Sequence, residues 1–159
     1  MKFSYLIFRN YRPYYGEQRI NFLDDQSDNS PINRNITLIG GLNGAGKTSL
    51  INAIHFCLYG RRKFSKETYE EILNNAINKK YFYEGGRESS IELGFINNSG
   101  TDAIKVNFNY DIIKNKVTEE RVIFKYYDEN SKVPITSTDS EFNEFIDKSI
   151  PIDVASFFI

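Results

Sequence analysis

The sequence has very little of three residue types on which many functional sites depend. Its 159 residues include one cysteine, Cys57, one histidine, His55, and no tryptophan. A single cysteine cannot form a disulfide within the chain, and no cysteine and histidine cluster has the spacing of a metal site. These absences exclude a disulfide-stapled scaffold and a zinc module, and they favour a reducing, cytoplasmic environment.

Net charge and long apolar runs are lacking as well. The chain carries 20 Lys and Arg residues against 21 Asp and Glu residues, a formal net charge of −1. Because this balance gives no overall attraction to a polyanion, any binding to nucleic acid must rely on local patches or on other chains. No run approaches the roughly 18 apolar residues of a membrane span, and the N-terminus lacks the features of a signal peptide. We therefore expect a cytoplasmic protein with no membrane partner.

The residues that are present suffice for one domain with a core of its own. Apolar residues make up 40% of the chain and aromatic residues 15%, and the length is that of a single domain. We predict one unit over residues 1–159. A strand, a glycine-rich loop and a helix are expected within 1–60, and a helical and antiparallel β segment over 61–159.

Hydrophobic periodicity predicts both strands and helices. In the first strand, Phe3, Tyr5 and Ile7 are expected on the apolar face, and a polar loop is expected at 24–35. The predicted strands span 2–8, 18–23, 36–40, 89–96, 103–112 and 121–129. The predicted helices span 47–59, with Gly60 as the C-cap, then 66–82 and 137–150.

A glycine-rich segment stands between the strand at 36–40 and the helix that begins at Lys47. From Gly41 to Thr48 the sequence Gly-Leu-Asn-Gly-Ala-Gly-Lys-Thr matches the phosphate-loop pattern. Backbone N–H groups surround a phosphate only where the chain takes torsions and close approaches that glycine allows. Lys47 would then bridge the β- and γ-phosphates of ATP, and the Thr48 hydroxyl would bind Mg²⁺. The alternative, a glycine-rich turn with an incidental lysine, is disfavoured by the strand before it and the helix after it.

Other reactive or charged residues have simpler explanations. His55 lies beside the apolar stripe of the same helix, which fits a packed or partly exposed helix residue better than a catalytic base. Cys57 falls on the apolar stripe and is expected in the core. The basic residues at 61–63 follow the end of the helix, where positive charge interacts favourably with the helix dipole. A contact with a nucleic-acid backbone is the alternative for them.

Residues 10–22, NYRPYYGEQRINF, together with 36–60, resemble the N-terminal part of SMC-like, ABC-type ATPase heads. The resemblance implies an α/β P-loop NTPase fold with a β-rich antiparallel layer, and a second head as partner in a homodimer that holds ATP and Mg²⁺ between the two subunits. It also implies that Arg12 lies near the nucleotide, with Arg9 as the alternative. The residues expected to bind phosphate are Gly41, Asn43, Gly44, Ala45, Gly46, Lys47, Thr48 and Ser49.

Within this group, the double glycine of the loop and the segment YYGEQ are most similar to the DndD family, the ATPases of bacterial DNA phosphorothioation. That likeness implies DNA and other DNA-modification proteins as partners. Two alternatives remain open. One is another SMC-like ATPase of repair or antiphage defence, and the other is a nucleotide-binding interaction module that does not hydrolyse ATP.

No catalytic residue is identified in the sequence. A Walker B motif needs an apolar strand that ends in carboxylates, and the candidate, Asp128 with Glu129, follows the interrupting residues 125–127. An ordinary strand end is the better interpretation. The Ser-Gly-Gly signature of the family does not occur, and the family's Q-loop would come after Ile159. We therefore predict an N-terminal lobe that lacks the C-terminal lobe and the coiled coil, with negligible ATPase activity by itself.

Overall fold

A sheet of six antiparallel strands forms the centre of the fold in this computed structural model, which describes residues 2–22, 39–97, 100–128, 131–134 and 139–152. The strands are β1 (Lys2–Tyr11), β2 (Tyr14–Asn21), β3 (Glu88–Asn97), β4 (Gly100–Asp111), β5 (Lys116–Asp128) and β6 (Ser131–Pro134). Their order across the sheet is β2-β1-β3-β4-β5-β6. Each pair is antiparallel. The sequence pattern predicted antiparallel strands at β3, β4 and β5 and the pairing of β1 with β2, but neither the pairing of β1 with β3 nor the strand β6.

Helices pack against this sheet. They are α1 (Lys47–Tyr59), α2 (Lys66–Asn74), α3 (Lys79–Tyr83) and α4 (Asp139–Ser149), with a 3₁₀ turn at Gly60–Lys63. Helix α1 contacts β3, β4 and α4, and α2 contacts β5. The predicted α/β class is therefore confirmed. No helix in the described ranges has the length and apolar character needed to cross a membrane.

The core contains a connected series of aromatic rings between the sheet and the helices. Phe8 of β1 stacks on Tyr11 with ring centroids 5.8 Å apart, and Tyr11 stacks on Phe108 of β4 at 5.5 Å. Phe108 contacts Phe56 of α1 at 5.4 Å, and Phe56 stacks on Tyr69 of α2 at 5.6 Å. Because such rings bury large apolar areas and favour these geometries, the series ties β1, β4, α1 and α2 into one core.

The apolar face of β1 differs from the prediction. Leu6 and Phe8 are fully buried members of the core cluster, and Phe3 packs against it, whereas Tyr5 and Ile7 are outside this cluster. The pairing of β1 with β3 shifts register between Phe3 and Tyr5. A bulge of this kind reverses the alternation of faces along a strand, so the two-residue period was right for Phe3 but placed Tyr5 and Ile7 on the wrong face, although Ile7 is itself buried.

Helix α1 ends where the sequence predicted. Gly60 is its C-cap with a φ of +50°, and its N–H donates to the carbonyl of Phe56. A Cβ at this position would overlap the guanidinium of Arg121, which comes from β5. The Arg121 Nε lies 3.6 Å from the Glu119 carboxylate, and Glu119 accepts a hydrogen bond from the Tyr69 hydroxyl at 2.8 Å. The backbone conformation therefore requires glycine, and a larger residue would also displace the Arg121 guanidinium.

The single helix predicted over 66–82 is two helices in the structure, α2 and α3. The backbone between them bonds to the β1–β2 turn instead of continuing the helix. The Arg12 N–H donates to the carbonyl of Ala76 at 3.1 Å, and the Asn78 N–H donates to the carbonyl of Asn10 at 2.7 Å. These long-range bonds replace helical ones, so the prediction was wrong because tertiary contacts outweighed helix periodicity.

Some parts of the sequence-based prediction lie outside the described residues. They include the polar loop at 24–35, positions 36–38 of the predicted strand at 36–40, the C-terminal segment 153–159, and residues 23, 129 and 137–138 at the ends of other predicted elements. Ile39 and Gly40 are described and carry no strand. Helix α4 corresponds to the helix predicted at 137–150.

We expect Phe56→Ala to lower the free energy of unfolding by about 3–5 kcal/mol, because it leaves a cavity among packed rings. Phe56 is fully buried and contacts Phe64, Tyr69 and Phe108. Urea denaturation followed by circular dichroism measures the change. As a control, Tyr83→Ala removes a ring that is 85% exposed and should change stability by less than about 0.5 kcal/mol. Equal effects of the two substitutions would contradict the proposed core.

Candidate functional site

The glycine-rich loop enters α1 through two residues with left-handed backbone. Gly44 has a φ of +82° and Gly46 a φ of +92°, values that residues with a Cβ rarely adopt. Gly46 is the N-cap of α1, where no side chain caps the helix and no acidic residue lies in the first turn. The N–H groups of this helix end and the positive end of its dipole are therefore available to an anion.

The side chain of Lys47 bonds to the backbone at the start of the loop. Its Nζ donates to the carbonyl oxygens of Gly41 at 2.6 Å and Leu42 at 2.7 Å, and the Ala45 N–H donates to the Leu42 carbonyl at 3.2 Å. The ammonium group is held within the curve of the loop by neutral acceptors. Phosphate oxygens would give it stronger, charge-assisted hydrogen bonds.

Tyr14 of β2 bonds to the backbone at the end of the loop. Its hydroxyl donates to the carbonyl of Gly46 at 3.0 Å, and its ring stacks on Phe8 with centroids 4.2 Å apart. Burial raises the pKa of Tyr14, so the hydroxyl keeps its proton and remains a donor. A Cβ at Gly46 would lie 2.7 Å from this hydroxyl oxygen. Sequence reasoning did not identify Tyr14, because no local pattern connects it with a loop 32 residues away.

Arg12 reaches the same region from the turn between β1 and β2. Its backbone is left-handed, with a φ of +51°, which is uncommon for a residue with a long side chain. The Nη1 atom of its guanidinium is buried and has no hydrogen-bond partner within the part of the chain that the structure describes. Burial raises the pKa of the neighbouring Tyr11 hydroxyl, and the charge of Arg12 opposes this rise, so part of the guanidinium faces Tyr11.

The loop and Arg12 line one cavity of about 630 Å³. Six of the eight loop residues predicted from the sequence line it, and Gly41 and Ala45 do not. The opposite wall comes from α2 and the start of α3, and sequence reasoning missed it because it depends on the break between those helices. The residues lining the cavity are Arg12, Pro13, Asn43, Gly44, Gly46, Lys47, Thr48, Ser49, Glu71, Asn75, Ile77, Asn78 and Lys79.

Arg9, the alternative to Arg12, lies elsewhere. Its guanidinium forms ion pairs with Glu17 at 2.8 Å and with Glu92 at 3.5 Å. It lines a separate groove of about 410 Å³ together with residues of β3, β4 and β5. The two arginines are three positions apart, and the chain turns between them, so their side chains serve different parts of the surface.

The chain matches a family model described as an AAA domain over residues 5–157. It belongs to this AAA domain family, within the SMC- and ABC-like ATPases. No curated protein matches the chain. ATPases of this kind generally bind a nucleotide with Mg²⁺, and the match includes the glycine-rich loop, Arg12 and both walls of the cavity.

The charges that line the cavity of this AAA domain suit a polyphosphate. Arg12, Lys47 and Lys79 bring three cationic side chains to it, and among the described lining residues Glu71 brings the one carboxylate. The local excess of positive charge contrasts with the nearly neutral chain and would attract an anionic ligand. No group of three or more His, Cys, Asp and Glu residues suited to a metal occurs in the described ranges. The exposed hydroxyl of Thr48 in the first turn of α1 is the candidate metal ligand.

The remaining candidates from the sequence do not line this cavity. Cys57 is fully buried in the core, where burial raises the pKa of its thiol. His55 is half-buried, and burial together with the Lys63 charge lowers its pKa. Arg62, in the basic segment after α1, pairs with Asp147 of α4 at 2.8 Å. Cys57 and Arg62 therefore have structural explanations, whereas the buried Nε2 of His55 has no hydrogen-bond partner among the described residues.

The backbone of Asp128, the first carboxylate of the Walker B candidate, belongs to the antiparallel sheet. Strand β5 ends at Asp128, whose backbone pairs with Ser131 at the start of β6. It is an antiparallel strand near one edge of the sheet, which fits an ordinary strand end. Glu129, the second carboxylate of the candidate, lies outside the described residues.

We expect Gly44→Ala and Gly46→Ala to differ in their effect on stability. Both place a Cβ on left-handed backbone, which costs about 1–2 kcal/mol. Gly44 has open space around it, whereas a Cβ on Gly46 meets Tyr14 and Pro13, which adds about 1–3 kcal/mol of overpacking. Urea unfolding of the two variants measures the difference. Equal losses would contradict the support of the loop by Tyr14.

Proposed function

We propose that this AAA domain is a P-loop NTPase unit that binds ATP with Mg²⁺ in the cavity between the glycine-rich loop and α2. One observation carries the proposal. The Lys47 ammonium, the uncapped N-terminus of α1 and the side chain of Arg12 line a single cavity. Each of these groups is suited to an anion, and together they match the extended charge of a triphosphate.

The role of each group follows from its chemistry. The backbone N–H groups of residues 43–49 surround the phosphates, with Gly41 shaping the start of the loop. Lys47, which bonds to the carbonyls of Gly41 and Leu42, would donate to the phosphates instead, and the Thr48 hydroxyl would hold the Mg²⁺ ion, which would neutralise phosphate charge. The guanidinium of Arg12, in the β1–β2 turn, adds positive charge opposite the negative charge of the phosphates.

The ATP site of this chain is half of a site in the proposed mechanism. A second head, contributed by another copy of the full-length protein, covers the bound ATP, and a C-terminal lobe and a coiled coil complete each head. ATP then holds two heads together, and hydrolysis releases them. The support for this step is the membership in the SMC- and ABC-like ATPases together with the exposed position of the loop residues 41–45.

The finer assignment is to the DndD family, acting on DNA during phosphorothioate modification in the cytoplasm. The support is the double glycine at 40–41 and the segment YYGEQ at 14–18. DNA and the other DNA-modification proteins are the partners in this proposal. Because the chain has a formal charge of −1, the assembled complex supplies the attraction to DNA.

Lys47→Ala tests the nucleotide site. We expect the affinity for ATP with Mg²⁺ to fall by roughly 100-fold, because a charge-assisted hydrogen bond contributes about 3 kcal/mol. The melting temperature should stay nearly unchanged, since a half-exposed lysine contributes little to folding. Isothermal titration calorimetry and thermal unfolding measure the two quantities. Lys66→Ala, which removes an exposed charge outside the cavity, is the control. Undiminished binding by Lys47→Ala would contradict the phosphate-loop assignment.

In-line attack needs a water molecule oriented by a carboxylate. Because the sequence shows no Walker B motif to supply that carboxylate, we expect the isolated chain to hydrolyse ATP at a negligible rate. Phosphate release under steady-state conditions measures this rate. Robust turnover would overturn the half-site proposal. In that event Glu71 would be the candidate for the catalytic carboxylate, because it lines the cavity. Loss of turnover in Glu71→Gln would identify it as that residue.

A further inference from the structure

Asn78 connects the start of α3 with the turn between β1 and β2. Its side chain is 7% exposed, and both of its polar atoms are used. The Nδ2 donates to the carbonyl of Arg12 at 2.7 Å, and the Oδ1 accepts from the Tyr81 N–H at 3.2 Å. The backbone N–H of Asn78 donates to the Asn10 carbonyl at 2.7 Å. One residue therefore caps a helix and holds a turn that lies 66 positions earlier in the chain.

The turn needs such support because its backbone is unusual. Asn10 and Arg12 both have a left-handed backbone, with φ values of +50° and +51°. Asparagine tolerates this conformation, whereas arginine adopts it only where the surroundings determine it. Both backbone groups of Arg12 are fixed by the same segment. Its N–H donates to the Ala76 carbonyl at 3.1 Å, and its carbonyl accepts from Asn78.

The direction of the Arg12 side chain follows from this backbone conformation. The backbone torsions of a residue set the direction of its Cα–Cβ bond, and from this turn the Arg12 side chain lines the same cavity as the glycine-rich loop. If the carbonyl of Arg12 lost its partner, the turn would gain access to ordinary conformations. The guanidinium would then occupy its place in the cavity for a smaller fraction of the time.

We propose that Asn78 is a positioning residue for nucleotide binding, which holds the backbone of Arg12 so that the guanidinium meets the phosphates. The inference rests on the proposed function, because it assigns Asn78 a part in the same site. Asn78 also lines the cavity, so the competing explanation is a direct contact with the nucleotide. The two explanations differ in one respect, since a positioning role disappears when Arg12 is absent and a direct contact does not.

The test uses Asn78→Ser. Serine retains an oxygen that caps α3, but its side chain is too short to reach the Arg12 carbonyl. The matched control is Asn75→Ser. Asn75 lines the same cavity, and its Nδ2 donates to the Glu71 carbonyl at 2.9 Å within α2, so this substitution leaves the turn untouched.

The first measurement is amide hydrogen exchange by NMR on the chain without nucleotide. In Asn78→Ser we expect the Arg12 amide to exchange about tenfold faster, the factor that corresponds to about 1.4 kcal/mol of local stability. Asn75→Ser should leave this rate within about twofold of the wild type. Unchanged exchange of Arg12 in Asn78→Ser would overturn the positioning role directly.

The second measurement is a double-mutant cycle in the affinity for ATP with Mg²⁺. Asn78→Ser should weaken binding about tenfold in the wild-type background and less than about twofold in the Arg12→Ala background. An equal loss in both backgrounds would overturn the proposal in favour of a direct contact. A wild-type chain that binds no ATP would instead overturn the proposed function and, with it, the role of Asn78 in binding. The exchange rates would still decide whether Asn78 holds Arg12.

Discussion

The hydrogen bonds between the β1–β2 turn and residues 76–78 determine the shape of the candidate site. The Arg12 N–H donates to the Ala76 carbonyl, and the Asn78 side chain donates to the Arg12 carbonyl. Beside them, Tyr11 forms an isolated β-bridge with Ile77. The same bonds interrupt the helical pattern between α2 and α3. Two parts of the cavity lining that are far apart in the sequence, Arg12 and residues 77–79, are thereby joined directly, and the glycine-rich loop lines the same cavity.

Aromatic packing in the core supports the start of α1 beside the cavity. The aromatic series begins at Tyr14, which holds the Gly46 carbonyl, and continues through Phe8 and Tyr11 to Phe108 and the rings of α1 and α2. Close-packed interiors deform little, so the backbone at the start of α1 rests on a firm support. A loop that is exposed and rich in glycine can in this way keep a defined geometry.

The electrostatic character of the site is a local property. The chain as a whole is almost neutral, and its net charge gives no overall attraction to a polyanion. In the folded chain, however, Arg12, Lys47 and Lys79 line one cavity with Glu71 as the single carboxylate among the described lining residues. Other charges neutralise one another on the surface, as Arg9 does with Glu17 and Glu92. Charge placement therefore carries information that net charge does not.

The sequence by itself determined the features that depend on neighbouring residues. Glycine torsions and the Lys47–Thr48 pair identify the loop, and Gly60 marks the end of α1, because backbone conformation and helix periodicity are local. Only the tertiary structure decided that Arg12 and not Arg9 lines the cavity, and that Asn78 interrupts a helix to hold the turn. These outcomes depend on hydrogen bonds between residues more than 60 positions apart. Patterns of neighbouring residues in the sequence contain no information about bonds of this range.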